Sequence, residues 1–360
     1  MLRALIDSDD SKASEKRDIE MSTSTLLGRT YNQYHASRKY VQGRRRFSIY
    51  VTWSYPAEAN KDLTQLDNRF STMTEVRRVG WPAFESPEYA NPLRFQQGIS
   101  GSLELFFRAW LPFQHALQEN AGYEVPVYQR VDQAGYELPL DERALADTDT
   151  LLVWGLDSLG TAQEPSQGEV EAVGHFLERE GTSLIIGPHH DVGASEDLKV
   201  RDQEYHHHGD ALVPRQQRFG TYARSLMRAL GIPVENRYGL RPATVKETSK
   251  IAPLNVKSDL DTRGFLAGVT TFSFHLHLPH YAVTTSDPNG ARVLATQPID
   301  LAKPHPFTEE GNREFNSLVW VPPNGKRAGD VLVVDSTVFS TLFGGTESLE
   351  RFWKNLATIK

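Results

Sequence analysis

Two apolar segments, separated by one amphipathic segment, constrain the fold of this chain most strongly. Residues 151–154 (LLVW) form a continuous apolar run, and in the segment SLII (183–186) the three residues after Ser183 form a second one. Such runs, apolar on both faces, are typical of strands in a buried parallel sheet. Between them, SQGEVEAVGHFLEREG has the features of a helix. Ser166 is the expected N-cap, Gly181 the expected stop, and one apolar face is formed by Val170, Val173, Phe176 and Leu177. The spacing predicts a right-handed βαβ unit.

The same alternation continues along the chain. Strands are predicted at 46–53 and 123–131, and a helix at 102–122, and the helix-glycine-strand pattern recurs at 219–235. Several strands are predicted within 264–300, followed by a strand pair and a closing helix. The fold class expected is therefore α/β, with a doubly wound, mainly parallel, flavodoxin-like sheet and a β-rich late insertion.

Composition excludes several classes of protein. The 360 residues carry a formal net charge of −7, and no run approaches the roughly 20 apolar residues of a membrane helix, so neither nucleic acid nor membrane is an expected partner. Cysteine is absent, which excludes disulfides, thiolate metal ligands and thiol nucleophiles. The N-terminal residues lack the features of a secretory signal, so a cytoplasmic location is expected by default.

We expect one domain over residues 46–360, preceded by a polar, partly disordered tail over 1–45. Residues 54–100 form a long insertion without sustained periodicity, rich in proline, asparagine and aromatics. Loops of this length usually have a use, and we expect this one to cover the ligand crevice as an ordered wall or lid.

The runs TLLVWGLDSLG, EVEAVGHFLEREGTSLIIGPHHD, ARVLATQ and GDVLVVDSTVFSTLFGGTESLERFWKNL resemble the class I glutamine amidotransferase-like superfamily, and within it the ThuA-like (trehalose utilisation) branch. The resemblance implies an amidotransferase-like sheet. Amidotransferases carry their cysteine on a tight turn after the strand that here ends in GPHHDVG. His189 occupies that position, and Phe307 stands where the acid of the His-Pro-Glu motif belongs, so glutamine hydrolysis by a thiol is excluded.

The histidines are unevenly placed, and this is the strongest functional signal in the chain. Eight of the twelve fall in two windows, 189–208 and 275–280. Residues two apart on a strand share a face, so His275 and His277 are predicted to bind one ion together with at least one residue from 189–210. Because HHD follows a predicted central strand, the site is expected at the carboxyl edge of the sheet.

The favoured hypothesis is a divalent-metal-dependent hydrolase or lyase that acts on a small polar molecule. The ion expected is Zn, Fe, Mn or Ni, since neutral imidazoles and carboxylates suit these metals. The metal ligands predicted are His275, His277, His206 and His208, with the last two on a flexible EYHHH loop. Glu204, Asp191 and His189 are the predicted acid-base residues, and the predicted substrate contacts are His190, Asp157, Arg218 and Arg241.

Two alternatives remain open. The first is a ThuA-like sugar-binding or sugar-processing protein without metal, in which the aromatic residues Trp53, Tyr55, Trp81, Phe84 and Tyr89 hold the ligand. The second is a structural subunit, and homo-oligomers are compatible with every hypothesis. Adjacent histidines also occur as solvated loop residues, and an HLH pair as ordinary core histidines.

Overall fold

The computed structural model describes the chain with gaps: residues 37–52, 109–130, 139–155, 157, 163–209, 217–272, 274–275, 277–287, 290–325 and 327–359. The insertion 54–100, with its expected role as a lid, and the aromatic residues 53–89 lie outside these ranges. Among the described residues, no helix is both long and apolar enough to cross a membrane.

An eight-stranded sheet organises the molecule. Its strands are β1 (Phe47–Val51), β2 (Val127–Gln129), β3 (Thr150–Gly155), β4 (Ser183–Pro188), β8 (Asn255–Val256), β10 (Arg292–Pro298), β11 (Glu314–Val321) and β12 (Asp330–Val334). The strand order is β2-β1-β3-β4-β12-β11-β10-β8. The first five strands in this order are mutually parallel, and the last three add antiparallel pairs at one edge. The predicted α/β class with a mainly parallel sheet is confirmed.

Strand β4 lies at the centre of the sheet, between β3 and β12. Leu151 pairs with Leu184, and Val331 pairs with Leu184 from the other side. The prediction that 183–187 form a central parallel strand flanked by 151–154 is therefore confirmed. The residues that follow β4 lie at the carboxyl edge, where open α/β sheets bind their ligands.

Helices cover both faces of the sheet. They are α1 (109–121), α2 (Glu142–Leu145), α3 (Gln167–Glu178), α4 (Leu198–His208), α5 (Thr221–Ala229), α6 (Pro306–Glu309) and α7 (Thr346–Thr358), with a 3-10 turn at Ser336–Phe339. In α3 the Ser166 hydroxyl accepts from the Glu169 N–H, while the Glu169 carboxylate accepts from the Ser166 N–H. This capping box fixes the predicted start of the helix.

The alternation of strand side chains divides the core in two. Leu152, Trp154 and Ile185 point to the face covered by α1 and α7, with Phe113, Phe352 and Trp353. Their neighbours Leu151, Val153 and Leu184 point to the opposite face, against α3 and α5. Both faces are buried, which explains the continuous apolar runs in the sequence.

Two short antiparallel sheets accompany the main one. Strands β5 (Asp191–Val192) and β6 (Gln217–Arg218) form the first, and β7 (Val234–Leu240) and β9 (Leu278–Val283) the second. Within 264–300, the run FLAGVTTFSFHLHL (265–278) is predicted as one strand, and this is wrong for all but its last residue. The described residues of 265–277 are turns and irregular chain, and Leu278 begins β9. Phe265, Leu266, Val269 and Phe272 are buried in the core by tertiary packing, without a strand partner.

The start of the described chain packs on the domain. Arg38 is buried and forms an ion pair with Asp147, 2.9 Å between Nη2 and Oδ1, and its Nη2 also donates to the Ser48 hydroxyl. Arg46 pairs with Asp149 in the same region. The last residues of the predicted tail thus contact the domain that begins at residue 46.

Candidate metal centre

A glycine brings strands β4 and β12 unusually close below the site. A Cβ atom on Gly187 would lie 2.0 Å from the Val334 carbonyl oxygen and 2.7 Å from the Ser336 amide nitrogen. No other residue fits such a backbone approach. The chain that leaves β4, with His189 and His190, therefore lies directly against the chain that leaves β12, with Asp335.

Five buried imidazoles meet at this edge, and we call them the histidine cluster: His189, His190, His208, His275 and His277. The rings of His190 and His277 stack with centroids 4.1 Å apart. The centroids of His208 and His277 are 3.7 Å apart, and those of His275 and His277 are 4.2 Å apart. His277 thus lies at the centre of the cluster.

Three separate segments supply the five rings. His189 and His190 follow β4, and His275 and His277 lie in the irregular chain that leads into β9. The expectation that strand alternation places His275 beside His277 is therefore wrong, although the rings are neighbours. Instead, the His277 amide donates to Nδ1 of His275 across 3.3 Å.

The fifth ring, His208, is the last residue of α4. The predicted EYHHH loop is in fact helical: Asp197 caps its start by accepting from two amides, and Gly209 ends it at a φ of 76°. Residues three and four apart share a helix face, so Glu204, His207 and His208 are buried together. The helix accordingly presents one histidine to the cluster and turns others away from it.

The nitrogen positions define two overlapping triads. His189, His275 and His277 form one, which we call the Asp335-side triad; His190, His208 and His277 form the other, the helix-side triad. Within each triad the candidate ligand atoms lie within 4.8 Å of one another. Both triads include His277.

A buried carboxylate supports one histidine of the cluster. Nδ1 of His189 lies 2.9 Å from Oδ1 of Asp335. The Thr337 hydroxyl donates to Oδ2 of Asp335 across 2.6 Å, and the Thr337 amide donates to Oδ1. Burial raises the pKa of Asp335, but the charge and hydrogen bond of His189 and the Thr337 hydroxyl outweigh burial and hold this pKa below its usual range.

Aromatic rings enclose the cluster. Phe219 stacks on His190 with centroids 5.6 Å apart, and Phe343 meets the edge of His275 at 4.0 Å. These walls lower the local polarity, so charges inside the cluster interact more strongly than in water. Neutral imidazoles without thiolates suit Zn and other first-row transition metals, whereas Mg and Ca prefer oxygen ligands. The donor set thus fits the predicted class of metal.

The predicted general bases have other partners in the structure. Glu204 accepts from the Ala194 amide across 3.0 Å, and Asp191 forms a 2.7 Å ion pair with Arg224. Burial is the largest influence on the Glu204 carboxyl and raises its pKa. Both carboxylates stabilise the chain that follows His190, and neither belongs to either triad. Sequence reasoning missed Asp335, whose one signal is its place after the apolar strand VLVV.

The other predicted site residues lie outside the triads. The His206 side chain is 68% exposed and lies 3.3 Å from Asp202. Asp157 is buried and accepts from the Thr52 hydroxyl and the Tyr222 amide, and burial raises its pKa to about 6. Arg241 forms an ion pair with Asp300 beside the end of α4. The backbone of Arg218 in β6 pairs with that of Asp191 in β5.

Three further buried histidines have structural partners. His207 accepts from the Arg241 amide at Nε2, and Nδ1 lies 2.8 Å from the Lys303 carbonyl oxygen. His280 accepts from the Asn316 amide, and His305 caps α6 by accepting from the Phe307 amide. Burial lowers the pKa of His280 to about 4 and that of His305 to about 3. These rings are neutral parts of the framework.

Comparison with known proteins finds similar solved structures, among them the following three. A ThuA-like protein from Bacteroides uniformis is 11% identical, over 89% of this chain and 94% of its own, with a TM-score of 0.37. A ThuA-like protein from Parabacteroides merdae is 9% identical, over 88% and 90%, with a TM-score of 0.36. The mmIFT52 N-terminal domain is 11% identical, over 66% and 85%, with a TM-score of 0.37. No family model and no curated protein matches this chain.

Proposed function

We propose that the histidine cluster holds one divalent metal ion, and that the protein is a metal-dependent hydrolase or lyase acting on a small polar molecule. The observation that carries this proposal is the convergence of five buried imidazoles, from three segments, at the carboxyl edge of β4. Burying polar rings costs free energy unless they gain strong interactions. A shared cation supplies such an interaction for several rings at once.

His277 is the common ligand in this proposal, because both triads include it. Buried positive charge needs compensation, and the carboxylate of Asp335 supplies one negative charge beside His189. A second divalent ion in the same enclosed space would double the charge to be compensated. One ion per chain is therefore the expected stoichiometry.

The chain's own residues divide the remaining tasks. Phe219 and Phe343 exclude bulk water from two sides, and the chain that leaves β4 holds His189 and His190 at the edge of the sheet. Three imidazoles of the histidine cluster would hold the ion, and it would supply the chemistry that hydrolysis and hydration reactions need, a water whose pKa is lowered to near neutrality.

Reconstitution tests the proposal. The protein, purified without a histidine tag and stripped with a chelator, is loaded separately with Zn, Mn, Fe(II) and Ni and assayed on small esters, lactones and hydroxy acids. We expect turnover with at least one metal and none after stripping, with His277→Ala inactive and His206→Ala fully active. Turnover equal in stripped and loaded protein would overturn the proposal. Binding of sugars by stripped protein, without turnover, would favour the metal-free alternative.

A further inference from the structure

We propose that Asp335 is a positioning residue which places the metal ion in the Asp335-side triad, by fixing the orientation and tautomer of His189. This inference rests on the proposed function, since it concerns the same site. It assigns a role to a residue outside the two triads, and it selects between two sets of ligands that share His277.

The first step concerns the hydrogen on His189. An ionised carboxylate only accepts hydrogen bonds, so Nδ1 of His189, 2.9 Å from Oδ1 of Asp335, carries the hydrogen. In a neutral imidazole the other nitrogen, Nε2, then presents its lone pair. Metal-ligating histidines generally donate their second N–H to a carboxylate or carbonyl in this way. His189 is thus prepared to ligate through Nε2.

The second step concerns what holds Asp335 itself. Its carboxylate accepts from the Thr337 amide and hydroxyl as well as from His189, which leaves it little rotational freedom. Gly187 permits the close approach of the two strand ends that carry His189 and Asp335. The orientation of His189 is therefore set by rigid backbone on both sides.

The third step compares the two triads. In the helix-side triad, Nε2 of His190 and Nε2 of His208 lie 3.2 Å apart and satisfy each other by one hydrogen bond. That separation also resembles the spacing of about 3.3 Å between ligand atoms of one tetrahedral zinc ion. Charge favours the Asp335-side triad over the helix-side triad. A buried divalent ion is stabilised by a nearby carboxylate, and the carboxylate of Asp335 contacts His189.

The fourth step gives a local signature of ion binding. His275 accepts from the His277 amide at Nδ1 across 3.3 Å. If His275 ligates through Nε2, its Nδ1 must carry a hydrogen and cannot accept one. If it ligates through Nδ1, the lone pair of Nδ1 binds the ion and cannot accept the hydrogen bond. Either way this long hydrogen bond is lost, so the His277 amide signal shifts when an ion binds.

The experiment compares Asp335→Asn with Asp157→Asn. Both replacements keep the side-chain shape, and both carboxylates are buried at the same edge of the sheet, but Asp157 contacts Thr52 and Tyr222 instead of the cluster. Zinc affinity is measured by competition with a chromophoric chelator, and nitrogen-15 NMR of the metal-free protein identifies which nitrogen of His189 carries the hydrogen. Thermal unfolding of the metal-free variants separates lost stability from lost affinity.

We expect wild-type His189 to carry its hydrogen on Nδ1, and Asp335→Asn to weaken zinc binding about 10- to 100-fold, with Asp157→Asn unchanged. Unaltered zinc affinity in a folded Asp335→Asn, or hydrogen on Nε2 in wild-type protein, would overturn the inference. Wild-type protein that binds none of Zn, Mn, Fe(II) and Ni would instead overturn the proposed function, and the NMR assignment would still decide whether Asp335 sets the tautomer of His189.

Discussion

Nε2 of His190 and Nε2 of His208 lie 3.2 Å apart, so each buried ring has a hydrogen-bond partner that requires no ion. Mutation can therefore distinguish the two triads. His208→Gln should keep zinc affinity within about threefold, whereas His275→Gln should lower it at least about tenfold, because of these two residues His275 alone is a ligand in our account. Chelator competition measures both. The reverse order of effects would place the ion in the helix-side triad.

The close approach at Gly187 makes this glycine indispensable. Gly187→Ala places a methyl group against the Val334 carbonyl, and we expect a loss of about 1–3 kcal/mol or more in unfolding free energy, measured by urea denaturation. Gly174 offers a matched control, because it lies inside α3 and a Cβ there meets nothing within 4 Å. Gly174→Ala should stabilise the protein by about 0.5–1 kcal/mol. Equal stability of the two variants would contradict the assigned β4–β12 contact.

Much of the sheet follows from the sequence, because its signals are local. The apolar runs around Leu152 and Ile185 and the capping box at Ser166 depend on neighbouring residues alone. Helix α4 was expected as a loop, since its exposed face and its buried histidines give no apolar periodicity. The predicted strand before His275 reflects β-branched composition, which tertiary packing of Phe265 and Phe272 overrides.

A pH-dependent stability is expected from Asp157. Burial raises its pKa to about 6 in the folded state, from the usual 3.8, so the folded state keeps its proton to a higher pH than the unfolded state. The stability contributed by the protonated carboxyl is full below about pH 4 and is lost as pH rises towards 6. A difference of about two pKa units corresponds to about 3 kcal/mol.

Asp157→Asn tests this directly. The free energy of unfolding of the variant minus that of wild type, measured by urea denaturation between pH 4 and pH 7, should increase with pH and level off above about pH 6. Other carboxyls, such as Asp149 with its lowered pKa, act in the opposite direction and cancel in this difference. A difference that stays constant across the range would show that Asp157 titrates normally.

The neutral framework histidines should make the protein sensitive to acid. Burial holds the folded pKa of His305 at about 3, while an unfolded histidine titrates near 6.5, so only the unfolded state gains a proton between these values. Stability is full above about pH 6.5 and falls as pH decreases, by about 2 kcal/mol at pH 5. His305→Asn keeps an N-cap group but not the titration.

The control for this experiment is His175, which is exposed and whose pKa is raised by its hydrogen bond to Glu142. A histidine with a raised pKa stabilises the folded protein slightly as pH falls. His175→Asn lacks this contribution, so it should become slightly less stable than wild type at pH 5. Chemical denaturation at pH 7 and pH 5 compares both variants with wild type. A wild-type stability that falls no faster than that of His305→Asn would refute the assignment of His305 as a buried neutral ring.

The candidate site was only partly predictable. Uneven histidine spacing indicates His189, His190, His208, His275 and His277, because clustering in sequence is visible without a structure. Asp335 lies 146 positions from His189, and their contact depends on parallel pairing of β4 with β12, which no local pattern encodes. The helical phase that buries His208 and exposes His206 likewise appears only once α4 is seen to be a helix.

Elemental analysis of untagged protein tests the central claim most directly. We predict about one equivalent of a divalent transition metal in wild-type protein and in His206→Ala, and none in His277→Ala, with all three folded by circular dichroism, because the site lies on a preformed sheet edge. The His206 control excludes adventitious binding by the exposed part of the HHH run. Metal-free wild-type protein, or full occupancy in His277→Ala, would contradict the account.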